Sequence, residues 1–421
     1  MAGQRRPDGA PLGRGIGRRG ALTLLGGALL APGCSAPARA PADGGAAPGD
    51  AAIRRTLARR AAAVLARDAG AYRATSAPDG AEGPDLFGNL AEVPLATWEY
   101  HLTGIRRSGA RATVRAELRY RLTGHDTAPV RTPRVLELTE RAGQWYVRTD
   151  RPGADGAPQL WEQGAVRAVR GERALVLGVD PDGTGRDPAE LRALAAVAER
   201  AVPAVAARWP GAWARRVVIL VPADLTAMGG LLGAPPGAYR SIAAVTTGET
   251  GGAGAAPADR IVVNPEAYGE LGDFGRQVVL THETTHVATR KATSAATPAW
   301  LSEGFADWVA YRGSDRTAGQ IAPELQRAVR RGEAPRALPA DADFAFGAEP
   351  ERLARAYEGG WLACETIAEH WGEPELTAFY RAVGAHRDRA GAVERAARDT
   401  LATTPVRLTE LWRDLVLRRL G

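Results

Sequence analysis

Lysine is nearly absent from this 421-residue chain, with Lys291 the one example; cysteine occurs twice, and no apolar stretch is long enough to cross a bilayer. Each scarcity closes off a class of protein. Cys34 and Cys364 are too few for a disulfide framework and sit in unlike contexts, so each needs its own explanation. The apolar stretch from Ala21 to Ala31 is eleven residues long, whereas a spanning helix needs roughly 20, so a permanent transmembrane helix is not expected. With lysine so scarce, the net charge of +6 and the isoelectric point near 9.7 rest on arginine. Along the chain those arginines form no cluster interleaved with aromatics, so a solvated basic surface is expected and a nucleic-acid partner is not. Internal repeats are lacking too. What is present is ordinary globular material, 45% hydrophobic and 24% charged, enough to bury sizeable cores in more than one domain.

Arg14, Arg18 and Arg19 precede the apolar stretch, and small residues and Cys34 follow it. That is the charged, apolar and cleavage-site layout of a secretory signal. Ala31-Pro32-Gly33-Cys34 resembles a bacterial lipobox, in which the cysteine is lipidated and becomes the mature N-terminus, and Arg18-Arg19-Gly20-Ala21-Leu22 resembles a twin-arginine export signal. Residues 1–34 are therefore expected to be a signal peptide with lipobox, and 35–50, built mainly of Ala, Pro, Gly and Asp, a flexible tether. The expected location is extracytoplasmic, anchored to the cell membrane through Cys34, with simple secretion as the alternative.

From 51 to about 69, Ile53, Leu57, Ala61 and Val64 recur at helical spacing and predict an amphipathic helix. Alternation then takes over in Trp98, Tyr100 and Leu102, in Val114, Leu118 and Tyr120, in Leu136 and Leu138, and in Trp145 and Val147. With turn residues at Gly124, Pro129 and Gly143, this predicts an antiparallel sheet of four strands. A helix on such a curved sheet, over 51–150, resembles the cystatin-like or nuclear-transport-factor-like cone folds, which by itself implies no function. His101 and His125 read as structural residues. Pro152, Gly153, Gly156 and Pro158 mark a loop-like boundary across 150–165. The second domain, 165–421, is expected to open with a strand near 174–178 and a helix over 188–207, followed by strands at 216–221, 242–247 and 261–264. Helices run from Pro265 onward, so the fold class is α+β with a helical C-terminal lobe.

That lobe carries the chemistry. Thr281-His282-Glu283-Thr284-Thr285-His286 is an H-E-x-x-H motif on a predicted helix. Residues four apart share a helix face, so both imidazoles point one way and Glu283 projects close enough to serve as a base beside a metal. Val278 and Val279 place the histidines on the buried face. Neutral imidazoles suit Zn²⁺, which needs one more protein ligand in a catalytic site. Further on, Glu303 and Asp307 stand in the apolar helix Trp300-Leu301-Ser302-Glu303-Gly304-Phe305-Ala306-Asp307-Trp308, where a carboxylate is costly to bury unless paired or metal-bound.

H-E-x-x-H followed by a W-L-x-E-G-x-A segment resembles the gluzincin metallopeptidases, and 165–421 resembles a bacterial peptidase-MA-like domain of the aminopeptidase-N and thermolysin kind. The resemblance implies one zinc per chain, held by His282, His286 and Glu303, with Glu283 as catalytic base. It implies that Asp307 hydrogen-bonds the first histidine, and leaves open what supports the second, since Ser302 stands where thermolysin-like enzymes have Asn. Tyr357-Glu358-Gly359-Gly360 resembles the Y-E-K-G segment of the aminopeptidase-N branch, implying that the Tyr357 hydroxyl, near a helix start, helps stabilise an oxyanion. The G-x-M-E-N segment of that branch is missing, and Gly248-Glu249 is a poor substitute. The implied activity is zinc-dependent hydrolysis of a peptide or protein substrate, with endopeptidase action favoured. Two alternatives stay open: a non-catalytic envelope lipoprotein on a peptidase scaffold, and a zinc hydrolase of a non-peptide substrate. His370, His386 and Cys364 read as packing or surface residues.

If Cys34 is lipidated, the wild-type protein partitions with membranes and Cys34→Ser is released or left unprocessed. Mass spectrometry finding an unlipidated N-terminus elsewhere rules the anchor out.

Overall fold

The computed structural model describes residues 48–78, 85–154, 156–180, 187–247, 259–345 and 349–421. The signal-like segment with Cys34, most of the tether, and Gly248-Glu249 lie outside them.

The first layer is helix α1 (Pro48–Ala66) against a four-stranded antiparallel sheet of β1 (Leu95–Ser108), β2 (Arg111–Leu122), β3 (Val130–Arg141) and β4 (Gln144–Pro152), in that order. Strict alternation in β2 sends Val114, Ala116, Leu118 and Tyr120 inward and Arg111, Thr113 and Arg115 outward. Ile53 and Leu57 of α1 pack onto the inward face with Leu136, Leu138 and Trp145. Register shifts at Leu102/Gly104 and Glu137/Leu138 bend the sheet around the helix. Ala142 and Gly143 both have positive φ, 49° and 77°, as a two-residue hairpin turn requires. The helix ends at Ala66, earlier than the apolar spacing implies, because Arg67 adopts a left-handed φ of 56°. Its guanidinium there donates to the carbonyls of Leu90 and Val93.

The stretch 150–165 is more than a loop. A 3₁₀ turn over Leu160–Glu162 buries Leu160 and Trp161 against Trp98 and Tyr120. Glu162 also accepts a bidentate bond from the buried Arg134, whose Nε meets Asp150 at 2.8 Å. Gly and Pro spacing concealed these anchors.

The second sheet has the order β5-β6-β7-β9-β8, comprising β5 (Ala165–Arg170), β6 (Ala174–Asp180), β7 (Val217–Val221), β8 (Ala244–Thr247) and β9 (Arg260–Val263). β6, β7 and β9 run parallel, and the two edges, β5 and β8, are antiparallel to their neighbours. Strand β5 precedes the first strand expected from sequence. The apolar runs of β6 and β7 are covered on both faces, as a parallel sheet demands. On one face lie α2 (Pro188–Arg208) and the histidine-bearing helix described below; on the other, Leu175, Leu177 and Val179 meet the Trp98/Tyr120/Trp161 cluster of the first layer. A helix not anticipated, α3 (Leu225–Leu232), is capped by Asp224 at its N-terminus and by Gly233 in the left-handed region at its end. A buried ion pair joins the two sheets, with Arg260 of β9 donating to both oxygens of Asp126 at 2.8 Å.

From 265 onward the chain is helical: α4 (Asp273–Thr289), α5 (Ala299–Tyr311), α6 (Pro323–Arg330), α7 (Pro350–Trp371), α8 (Glu373–Gly384), α9 (Ala392–Leu401) and α10 (Pro405–Leu420). Phe305, Trp308, Phe379, Tyr380 and Trp412 form the lobe's core, and Cys364 is a buried free thiol within it. Helices α5 and α7 approach at two glycines. A Cβ on Gly304 would stand 2.2 Å from the Gly360 carbonyl oxygen, and one on Gly360 would stand 2.8 Å from that of Trp300.

No flexible side-chain end is available to move aside at that contact. Gly304→Ala is expected to lower unfolding free energy by about 2–3 kcal/mol, read as a lower urea midpoint with an unchanged slope. An unchanged midpoint would show that the helices have slack.

Candidate metal centre

Helix α4 carries His282 and His286 one turn apart on its inward face, and every residue from Val278 to His286 is buried. Helix α5 brings Glu303 up to them and Asp307 one turn behind. The imidazole Nε2 atoms are 3.0 Å apart, and Glu303 Oε2 lies 3.3 Å from His282 Nε2 and 3.4 Å from His286 Nε2. Two ligands held about 2.0–2.1 Å from a tetrahedral zinc stand roughly 3.3–3.4 Å apart, so the triangle has the size a zinc ion requires. Among the described residues it is the one group of three or more His, Cys, Asp or Glu whose ligand atoms converge in this way.

The donor set points the same way. Asp307 Oδ1 sits 3.1 Å from His282 Nδ1, and a proton held on Nδ1 by that carboxylate leaves the Nε2 lone pair facing Glu303. Acceptors brought together out of water repel unless a cation stands among them. Burial opposes charge on His282, yet the carboxylates of Asp307 and Glu303 raise its pKa well above the usual histidine value. Burial likewise opposes charge on Glu303, but the two imidazoles outweigh it and hold the carboxyl well below the carboxylate range. A proton can satisfy this cluster and a divalent cation satisfies it better, because each ligand then keeps its full charge or lone pair.

Glu283 is fully buried between the histidines' helix and strand β8. Its Oε2 accepts from Thr246 Oγ1 at 2.7 Å, and the same hydroxyl reaches its backbone carbonyl at 3.1 Å. Oε1 is buried with no hydrogen-bond partner among the described residues. A native buried carboxylate oxygen is rarely left so, and it is the acceptor free to meet a bound molecule. Burial raises the pKa of this carboxyl, against the pull of both imidazoles.

Tyr357 lies two turns inside α7, which begins at Pro350, and not near a helix start as its flanking glycines implied. Gly360 serves the α5 contact instead, and Gly359 faces Pro339 and Trp412. The ring is buried against Phe344, its centroid 6.3 Å from that of His282, so helix packing brings it beside the histidine cluster. Its neighbour Glu358 caps another helix, accepting from the N–H groups of Glu324 and Leu325 at the start of α6. Ser302 bonds its own helix through the Ala299 carbonyl at 3.4 Å.

Sequence reasoning missed Thr246 and the pair Asp259/Arg290. The latter joins the end of α4 to the residue just before β9 at 2.8 Å. A threonine on a short strand carries no local signal of such a role. His101, His125, His370 and His386 lie on other elements. Cys34 and Gly248-Glu249 are outside the described residues.

No family model matches the chain, and no curated protein matches it either. Among solved structures it is similar to an M1 zinc metallopeptidase from Deinococcus radiodurans, at 15% identity and a TM-score of 0.34, over 74% of this chain and 62% of that one. A mutant of that peptidase bound to a Tyr-Ser-Ala substrate is similar at 14% identity and a TM-score of 0.33, with the same coverage. The chain thus spans less than two thirds of the length of these peptidases. A further likeness, to a variant named Rd1NTF2_05, has 17% identity and a TM-score of 0.21, over 25% of this chain and 96% of that one.

Asp307→Ala is expected to weaken zinc binding by about 10–100-fold, measured by competition with a chelator. Thr246→Val, whose lost hydroxyl meets Glu283 and no imidazole, should bind zinc as wild type does. Equal affinities in all three proteins would show that Asp307 does not tune His282.

Proposed function

We propose that this chain is a zinc-dependent hydrolase, a metallopeptidase with endopeptidase action favoured, and that it works outside the cytoplasm on a lipid anchor at Cys34. The observation that carries the hydrolase reading is the convergence of His282 Nε2, His286 Nε2 and Glu303 Oε2 beside a buried Glu283 carboxylate with one oxygen unengaged. A closed structural zinc site has no use for such a base. His282, His286 and Glu303 would hold one zinc ion per chain. When bound, zinc supplies Lewis acidity, which activates water and polarises a carbonyl at neutral pH.

The remaining work falls to the chain's own groups. Glu283 takes a proton from the attacking water on its unengaged oxygen and delivers it to the leaving amine, while Thr246 holds the other oxygen and fixes the carboxylate's orientation. Burial keeps Glu283 more basic than an exposed carboxylate, which suits both halves of that transfer. Asp307 orients His282. The Tyr357 hydroxyl is assigned to the carbonyl oxygen of the scissile bond, where it would donate as negative charge develops. Without a free-amine recognition segment of the aminopeptidase kind, an internal peptide bond is the better substrate.

Glu283→Gln is expected to retain its zinc and lose at least about 100-fold in rate, because a proton acceptor goes and no ligand does. Tyr357→Phe keeps the packing and deletes the donor; it should lower kcat by about 10²–10³-fold with little change in KM. A proteomic cleavage assay comparing the wild type with these variants tests both. If no protein is cut in a manner dependent on Glu283, the peptidase reading fails; if Tyr357→Phe keeps its kcat, Tyr357 is a packing residue.

A further inference from the structure

One end of the first sheet collects exposed arginines that are scattered in the sequence. The β1–β2 hairpin turns there through Gly109 and carries Arg106, Arg107 and Arg111, and the β3–β4 hairpin turns beside it through Ala142-Gly143 and carries Arg141. Pairing of Arg111 with Thr139 brings the two turns to the same edge. Helix α1 starts there as well. Asp50 meets Arg107 at 3.2 Å, Thr56 donates to the Trp145 carbonyl at 3.1 Å, and Ile53 is buried in the cluster that holds Ala112 and Leu138. Arg54 and Arg55, next to Ile53, are exposed. Across residues 50–55, 106–111 and 139–144 there are six arginines and two acids, Asp50 and Glu140. That leaves a surplus of four positive charges at one end of a chain whose net charge is +6.

We propose that this end of the sheet docks on an anionic phospholipid surface. Charge complementarity is the first ground: a compact arginine cluster is drawn to a negative leaflet within a Debye length, about 8–10 Å at ordinary ionic strength. Where the chain enters is the second. Helix α1 begins at Pro48, so the segment leading from Cys34 joins the fold beside the arginines. The choice of a membrane over another polyanion rests on the proposed anchor at Cys34. An acyl chain and a basic patch attract to one surface, and the two together hold a protein on a membrane better than either alone. Docked in this way, the first layer stands between the lipid and the catalytic helices and holds the metal centre at a fixed remove from the surface.

The test uses the mature chain beginning at residue 34 with Cys34→Ser, so that no lipid is attached and a failure of lipidation cannot affect the result. It is mixed with vesicles of phosphatidylglycerol and phosphatidylcholine, or of phosphatidylcholine alone, and co-sedimented. Binding to the anionic vesicles only, abolished by high salt, is expected. The combined Arg54→Glu, Arg106→Glu and Arg111→Glu variant should lose on the order of tenfold or more in partitioning, whereas the same three positions changed to lysine should bind as before. Urea midpoint and zinc content, both unchanged, would show that fold and metal centre are intact. Equal binding to both vesicle types, or undiminished binding by the glutamate variant, overturns the proposal. So does binding of a DNA duplex that the glutamate variant loses, in the absence of vesicle binding.

Discussion

Two carboxylates and two imidazoles share a buried pocket between α4 and α5, and the cost of placing charge there organises much of the surrounding structure. Glu303 can be buried only because His282 and His286 face it at 3.3 and 3.4 Å, and His282 can be held in one orientation only because Asp307 stands behind it. Those distances in turn require α5 to be fixed along its length. The glycine contact with α7 does this, since Gly304 and Gly360 bring two backbones together with no side chain between them. One such contact both sets the Glu303 carboxylate and carries Tyr357 up beside His282.

The edge strand β8 has a comparable double part. Antiparallel pairing with β9 from Ala244–Val263 to Thr247–Arg260 sends alternate side chains to opposite faces. Thr246 therefore meets Glu283 while Val245 packs with Met228, Tyr239 and Val262 on the other side. β9 ties this strand to the first layer, because Arg260 carries the buried pair with Asp126. A change in how the first sheet sits would be felt at the strand that holds the Glu283 carboxylate. The two layers are thus mechanically connected, and a surface that held the first would also orient the second.

What the residues determined on their own is local and periodic. Alternation in β2 and β3, helical spacing in α1, and the i, i+4 histidines of α4 are each decided within one element, where backbone geometry fixes which side chains share a face. The H-E-x-x-H motif and the carboxylate in an apolar helix were legible for this reason, and so was the α+β character of the chain. The extra strand β5, the anchoring of Trp161, and the early end of α1 at Arg67 were not. Each depends on a partner distant in sequence: β6 for the strand, Trp98 and Tyr120 for the tryptophan, the Leu90 and Val93 carbonyls for the arginine.

Tertiary packing alone decided the rest of the site and the charge distribution. Glu358 is in the sequence only the neighbour of Tyr357, and in the fold it is a helix cap for α6. Thr246 reads as nothing in particular and holds the Glu283 carboxylate. Six arginines from three separate segments form one patch only because hairpin register aligns their turns. The sequence determined which groups could do chemistry, since that follows from side-chain type and short-range periodicity. Which of them meet was decided by close packing and by the need to pair every buried charge, which act between residues far apart along the chain.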